Sequence, residues 1–241
     1  MTSSEPTPFR QELAAVVPCY NAGPRVKPVV ERLLRIVDHV FVVDDGSTDN
    51  AVHELEGTGA HVIVFPENRG KGHAMLAGFR AALDVSAVQA VVIVDADGQH
   101  DPDELDRLWE AFRAEDADLV IGSRDFDRPD VPWRSRFGNK LTIRLTALLL
   151  GQRVSDTQSG YRLHSRRLLE YILENVPGGR YETEMEILVL AVRRGYKVVP
   201  VPIATIYEED NKSSHFNKLR DSLRIYRRLF SVALRTRSKR G

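Results

Sequence analysis

Between residues 13 and 121 the chain alternates short apolar runs, rich in β-branched residues, with stretches of helical periodicity. Residues 13–17 read as a first strand ended by Pro18, and 39–43 as a second that runs into Asp44-Asp45-Gly46-Ser47. Residues 61–65, 90–94 and 118–121 read as the third, fourth and fifth strands. Helices are expected over 26–37, where Val26, Val29, Val30, Leu33, Leu34 and Val37 share one face, and over 49–55, 71–83 and 102–114. Strict alternation predicts an α/β fold with a parallel sheet, right-handed crossovers and ligands at the carboxyl ends of the strands. Pro18, Asp45 and Asp95 all fall at such ends.

The fourth strand ends in Asp95-Ala96-Asp97-Gly98-Gln99-His100. Two carboxylates one residue apart can aim oxygens at a hard cation, Mg²⁺ or Mn²⁺, that keeps several waters and bridges to a diphosphate. Gln99 can add a neutral oxygen. Taken alone, the stretch equally describes a solvated acidic loop. Gly70-Lys71-Gly72 resembles part of a phosphate loop, but Met75 breaks the dinucleotide fingerprint and Gly72 stands where a P-loop needs Ser or Thr. Lys71 is then either a point charge near phosphate or a helix-start lysine.

A chain of 241 residues with 42% apolar and 28% charged residues fits one globular unit. Its single cysteine, Cys19, excludes an internal disulfide and suits a reducing compartment. No apolar run reaches the length of a spanning helix. Residues 1–12 read as a flexible tail, 13–206 as the main domain, and 207–241 as a polar lid loop followed by a basic amphipathic helix. Residues 218–240 hold nine bases against Asp221 alone, although the whole chain is neutral. Leu219, Leu223, Tyr226, Phe230 and Leu234 form that helix's apolar seam. The seam can lie on an anionic membrane surface or pack on the domain. A second apolar helix is expected over 137–150. Few aromatics interleave with the bases, which argues against nucleic acid as a partner.

Five motifs occur in order: Pro18-Cys19-Tyr20-Asn21, Val43-Asp44-Asp45-Gly46-Ser47-Thr48-Asp49, Asn68-Arg69-Gly70-Lys71-Gly72, Asp95-Ala96-Asp97-Gly98-Gln99-His100 and Asp156-Thr157-Gln158-Ser159-Gly160-Tyr161-Arg162. Together they resemble family 2 glycosyltransferases of the GT-A fold, in the branch of dolichol-phosphate mannosyltransferase and related polyprenyl-phosphate glycosyltransferases. The resemblance implies a mostly parallel, Rossmann-like sheet flanked by helices. It implies a metal-dependent, inverting hexosyltransferase, using GDP-mannose or UDP-glucose, with Mg²⁺ or Mn²⁺ held by Asp95, Asp97 and Gln99. Pro18, Tyr20, Asn21, Asp45, Gly46, Lys71, Asp95 and Ala96 are then expected around the nucleotide-sugar. Asp97, Arg124 and Asp156 are the expected catalytic set, and Arg124, Arg134 and Arg136 the cations for an acceptor phosphate. Should a hydroxyl acceptor need a base, Asp156, Glu182 or Glu184 would be the candidate.

A polyprenyl phosphate acceptor places the protein in the cytoplasm, at the inner face of a membrane. Ending at Gly241, the chain is expected to touch that membrane only peripherally. Two departures stand out. Ala22 occupies the place of a glutamate that follows Asn in such chains, and 207–215 lacks their loop arginine, leaving Lys212 as its cation. Transfer to a soluble sugar or protein hydroxyl is the alternative within enzymes, and a non-catalytic nucleotide-sugar-binding protein the alternative outside them.

Overall fold

A computed structural model describes residues 9–124, 143–144, 147, 156–157 and 159–204. Seven strands form one sheet: β1 (Leu13–Cys19), β2 (His39–Asp44), β3 (His61–Val64), β4 (Ala90–Ile93), β5 (Leu119–Arg124), β6 (Arg162–Ser165) and β7 (Val198–Ile203). Their order across the sheet is β3-β2-β1-β4-β6-β5-β7. All neighbouring pairs are parallel except those of β6, which runs antiparallel to both β4 and β5. The helices are α1 (Val26–Ile36), α2 (Lys71–Leu83), α3 (Leu105–Ala114), α4 (Arg166–Asn175) and α5 (Glu182–Arg194).

β1 and β4 are apolar throughout because both faces of the sheet are covered there. In β1, Leu13, Ala15 and Val17 pack with Val26, Val30 and Leu33 of α1 and Leu105 and Leu108 of α3. Ala14 and Val16 pack on the other face with Met75 and Phe79 of α2, Leu168 of α4 and Leu188 of α5. The register pairs Cys19 with Asp44 and Val16 with Ile93, so the carboxyl ends of β1, β2 and β4 lie side by side.

The sheet is mostly parallel, as the resemblance implied, and β6 is its antiparallel strand. Arg162, Leu163, His164 and Ser165 are all buried, and three polar residues in four hid this strand from a reading by apolar alternation. The expected helix over 49–55 reduces to one 3₁₀ turn at His53–Leu55. Asp49 instead accepts the Gly23 N–H at 2.7 Å and the Ala51 N–H at 3.1 Å, which holds the chain out of helical geometry. Phe9 is 2% exposed against Trp109, and Arg10 donates to Asp38, so residues 9–12, expected in the tail, belong to the packed unit. The expected helices over 137–150 and within 207–241 lie outside the described residues.

Gly78 in α2 marks the tightest sheet contact: a Cβ there would sit 2.4 Å from Val16 Cγ1. Alanine normally improves a helix by about 1 kcal/mol over glycine. Overpacking a core costs about 1–3 kcal/mol, so the clash should win. We expect Gly78→Ala to lower the urea midpoint, and a raised midpoint would contradict the packing described.

Candidate active site

A cavity of about 200 Å³ opens at the carboxyl ends of β1, β2 and β4. Pro18, Cys19, Tyr20, Asn21 and Ala22 form one wall, and Asp45, Asn68 and Gly70 another. Lys71 at the head of α2 and Asp95, Ala96 and Asp97 beyond β4 reach it as well. The sequence motifs on those three strands therefore converge. Arg25, Arg180 and Tyr181 also line the cavity, and no motif pointed to them. Gly46, Gln99, Arg124 and Asp156 are not on its surface. Arg134, Arg136 and Gln158 lie outside the described residues.

Several expected ligand contacts prove to be internal supports. Asp45 is 3% exposed. It accepts the Arg69 N–H at 2.7 Å on Oδ1, and the Gly70 N–H at 2.8 Å and Asn68 Nδ2 at 3.0 Å on Oδ2. A carboxylate offers about four acceptor positions, so most of its capacity holds the 68–70 loop. Gly46 has φ +71°, and a Cβ there would meet Glu67 C at 2.5 Å, so its glycine serves backbone packing and not a ligand. Gly70 and Gly72 admit the turn before α5: added Cβ atoms would meet Arg180 Cγ at 2.6 Å and Thr183 Oγ1 at 2.0 Å. Asn21, at φ 50°, accepts the Thr48 N–H at 2.8 Å, while its own N–H donates to Ser47 Oγ at 2.9 Å. Ser47 therefore braces the first motif.

The centre of the site is a buried charge cluster. Lys71 Nζ donates to Asp95 Oδ1 at 2.7 Å and to Glu184 Oε1 at 3.2 Å. Burial alone would lower the ammonium's pKa, but Asp95 and Glu184 outweigh it and raise it above the ordinary lysine value. Burial would likewise raise Asp95, yet Lys71 and then His100 bring it down to about 2. Gly160 makes this approach possible: a Cβ there would fall 2.6 Å from Asp95 Oδ2 and 3.0 Å from Lys71 Nζ.

Arg162, 1% exposed, fixes the surrounding backbone by donating to Ser159 O at 2.7 Å, Glu184 O at 2.6 Å and Thr157 O at 2.8 Å. Nothing in its motif announced that role except its place at the end of the Asp156 stretch. His100 Nδ1 accepts the Asp95 N–H at 3.2 Å, which assigns the ring proton to Nε2. Burial lowers its pKa to about 4, so the ring is neutral at neutral pH. It stacks on Tyr161 at 4.9 Å with a 9° interplanar angle, and the Tyr161 hydroxyl donates to Asp101 O at 3.0 Å.

Asp156 is fully buried and holds Arg124 at the end of β5: Nε donates to Oδ2 at 2.7 Å and Nη2 to Oδ1 at 3.2 Å. Its contacts make it the residue that orients Arg124. Glu184, another base candidate, is held by Lys71. The donor set fits a hard divalent cation through two carboxylates on the cavity, Asp95 and Asp97. Burial and the Asp95 charge raise the Asp97 pKa above its ordinary value, a strain that a bound cation relieves. Gln99 contributes otherwise than expected: its backbone N–H donates to Asp97 Oδ1 at 3.0 Å and closes the turn. Among the described residues no group of three or more His, Cys, Asp or Glu side chains converges as a metal cage, so water and ligand oxygens would complete the shell.

Comparison with known proteins gives one family profile and a set of relatives. The profile described as Glycosyl transferase family 2 matches residues 14–173. The chain is 33% identical over 215 residues to a UDP-N-acetylglucosamine–dolichyl-phosphate N-acetylglucosaminyltransferase of Methanococcus voltae, covering 80% of this chain and 85% of that protein. It is 35% identical over 212 residues to a polyprenol monophosphomannose synthase of Mycolicibacterium smegmatis, covering 80% and 77%. Its fold is similar to that of glucosyl-3-phosphoglycerate synthase from Mycobacterium tuberculosis in complex with Mn²⁺ and UDP-glucose. The TM-score is 0.69 at 22% identity, over 94% of this chain and 79% of that one.

The charge cluster predicts a pH signature. Lys71→Met leaves Asp95 and Glu184 without their shared cation and should cost about 3 kcal/mol, at the low end for a broken buried pair because Asp95 keeps some contact with water. Asp95's depressed pKa contributes stability that is complete above its ordinary value of 3.8 and is lost as pH falls towards about 2. The deficit of Lys71→Met should therefore shrink between those two values in denaturant titrations. A deficit independent of pH across that window would contradict the pairing.

Proposed function

This chain belongs to glycosyl transferase family 2, and on that premise we propose that it is an inverting hexosyltransferase whose acceptor is a polyprenyl phosphate. The observation that carries the acceptor class is the engagement of the carboxylates. Asp45 holds the 68–70 loop, Asp95 and Glu184 share Lys71, and Asp156 holds Arg124. Asp97, the remaining carboxylate that lines the cavity, would hold a cation together with Asp95. Among the described residues that line the cavity, each carboxylate is held by a partner or assigned to a cation, which supports an acceptor oxygen already anionic at neutral pH. The names of the archaeal and mycobacterial relatives support the same class.

The donor's nucleotide lies along Pro18, Tyr20 and Asn21, with Tyr20 offering a flat face and Asp45 keeping the adjoining loop in shape. Asp97 and Asp95 would hold the Mg²⁺ or Mn²⁺, which would neutralise charge on the leaving nucleoside diphosphate. Arg124, oriented by Asp156, receives the acceptor phosphate together with Arg134 and Arg136, since a guanidinium fork matches two phosphate oxygens. The acceptor oxygen attacks the anomeric carbon from the face opposite the diphosphate; the new C–O bond forms as the old one breaks, and the configuration inverts. Lys71 stays with Asp95 and Glu184 and keeps the first carboxylate ionised. No helix among the described residues is long and apolar enough to cross a membrane. Contact with the inner membrane face is assigned to the basic stretch within 207–241, a peripheral mode.

Radiolabelled transfer from UDP-glucose and GDP-mannose, with Mn²⁺ or Mg²⁺, should require a short polyprenyl phosphate. It should fail with the matching polyprenol and with soluble sugars. Asp97→Ala should lower turnover about 10²–10³-fold, the scale of losing one charge-stabilising group at a leaving oxygen. Equal turnover on the polyprenol would overturn the phosphate acceptor while leaving the family intact.

A further inference from the structure

Resting on the donor site proposed above, we propose that Arg25 is a direct ligand of the donor's diphosphate, a role that no motif of this chain assigned to it. Arg25 stands immediately before α1, and its side chain lines the cavity with Tyr20, Ala22 and Asp97. The other arginines that brace the fold have named acceptors: Arg162 takes three carbonyls, Arg166 takes Leu83 O and Val88 O, and Arg124 and Arg167 take carboxylates. Arg25 has none among the described residues. Its Nε is shut from water and meets no hydrogen-bond partner.

A buried donor left unmatched is costly, and a ligand oxygen that reaches the guanidinium repairs the deficit. The acceptor that suits a planar fork is a pair of anionic oxygens, as a phosphate presents. Arg25 lies within electrostatic reach of Asp97, the carboxylate assigned to the cation on the diphosphate, without forming an ion pair with it. The phosphates and not the base are therefore the part of the donor that it meets. Ala22, ending at its Cβ, leaves room on the same wall for the guanidinium to turn towards them.

Calorimetric titration of the full chain with nucleoside, nucleoside monophosphate and nucleoside diphosphate, in the uridine and guanosine series, tests the contact. Each titration is run with and without Mn²⁺. Arg25→Met, which keeps the apolar stem, should weaken diphosphate binding about ten- to hundredfold, the range for losing charge-assisted hydrogen bonds. Nucleoside binding should stay within about twofold, and Arg25→Lys should recover part of the loss. Unchanged diphosphate affinity in Arg25→Met overturns the proposal. So does an equal loss for nucleoside and diphosphate, which marks a general disturbance of the wall, and so does a loss seen only with Mn²⁺, which marks an effect through Asp97. A wild-type chain that binds no nucleoside diphosphate overturns the donor site itself, and the Arg25 contact with it.

Discussion

Lys71 is shared by two carboxylates from different parts of the fold, and the geometry of the site depends on it. Asp95 comes from the end of β4 and Glu184 from the first turn of α5, so a single ammonium ties the central sheet to the helix that closes over α2. The fit is close: Gly72 gives way to Thr183, Gly70 to Arg180 and Gly160 to Asp95, and none tolerates a methyl group without movement. Arg162 secures the same junction from beneath with three carbonyl contacts. A buried ion pair adds little net stability once desolvation is counted. What it supplies here is position, because each partner left alone would be a costly buried charge.

The same engagement of charges selects the chemistry. With Asp45, Asp95, Asp156 and Glu184 tied to partners within the protein, the cavity keeps Asp97 for a cation and arginines for anions. In the proposed function, such a site would stabilise a leaving diphosphate and receive an anionic nucleophile. His100, neutral and stacked on Tyr161, contributes orientation and no charge.

Much of this was legible in the chain. The apolar runs of β1, β2 and β4 and the helix α2 were readable from periodicity, and the motifs at their ends do meet in one cavity. β6 was not legible, because its Arg162, His164 and Ser165 are polar residues whose burial depends on partners far away in sequence. Ser165, for instance, donates to Asp118 Oδ1 at 2.9 Å. Asp45, Gly46 and Asp156, read as ligand or catalytic groups, also support the loops or arginines beside them, a part that no spacing in the sequence announces. Arg25 and Arg180 sit in no motif and come to the cavity only through the packing of α1 and of the turn before α5.

The central claim is that the attacking oxygen brings its own charge, and the pH dependence of kcat tests it most directly. With a polyprenyl phosphate acceptor, the rate should fall only below about pH 6, where the phosphate monoester dianion takes up a proton and becomes the monoanion. That limb should move to higher pH with a polyprenyl phosphonate, whose second ionisation lies higher. A limb that stays at one pH whichever acceptor is used would assign the ionisation to a base on the protein and contradict the account.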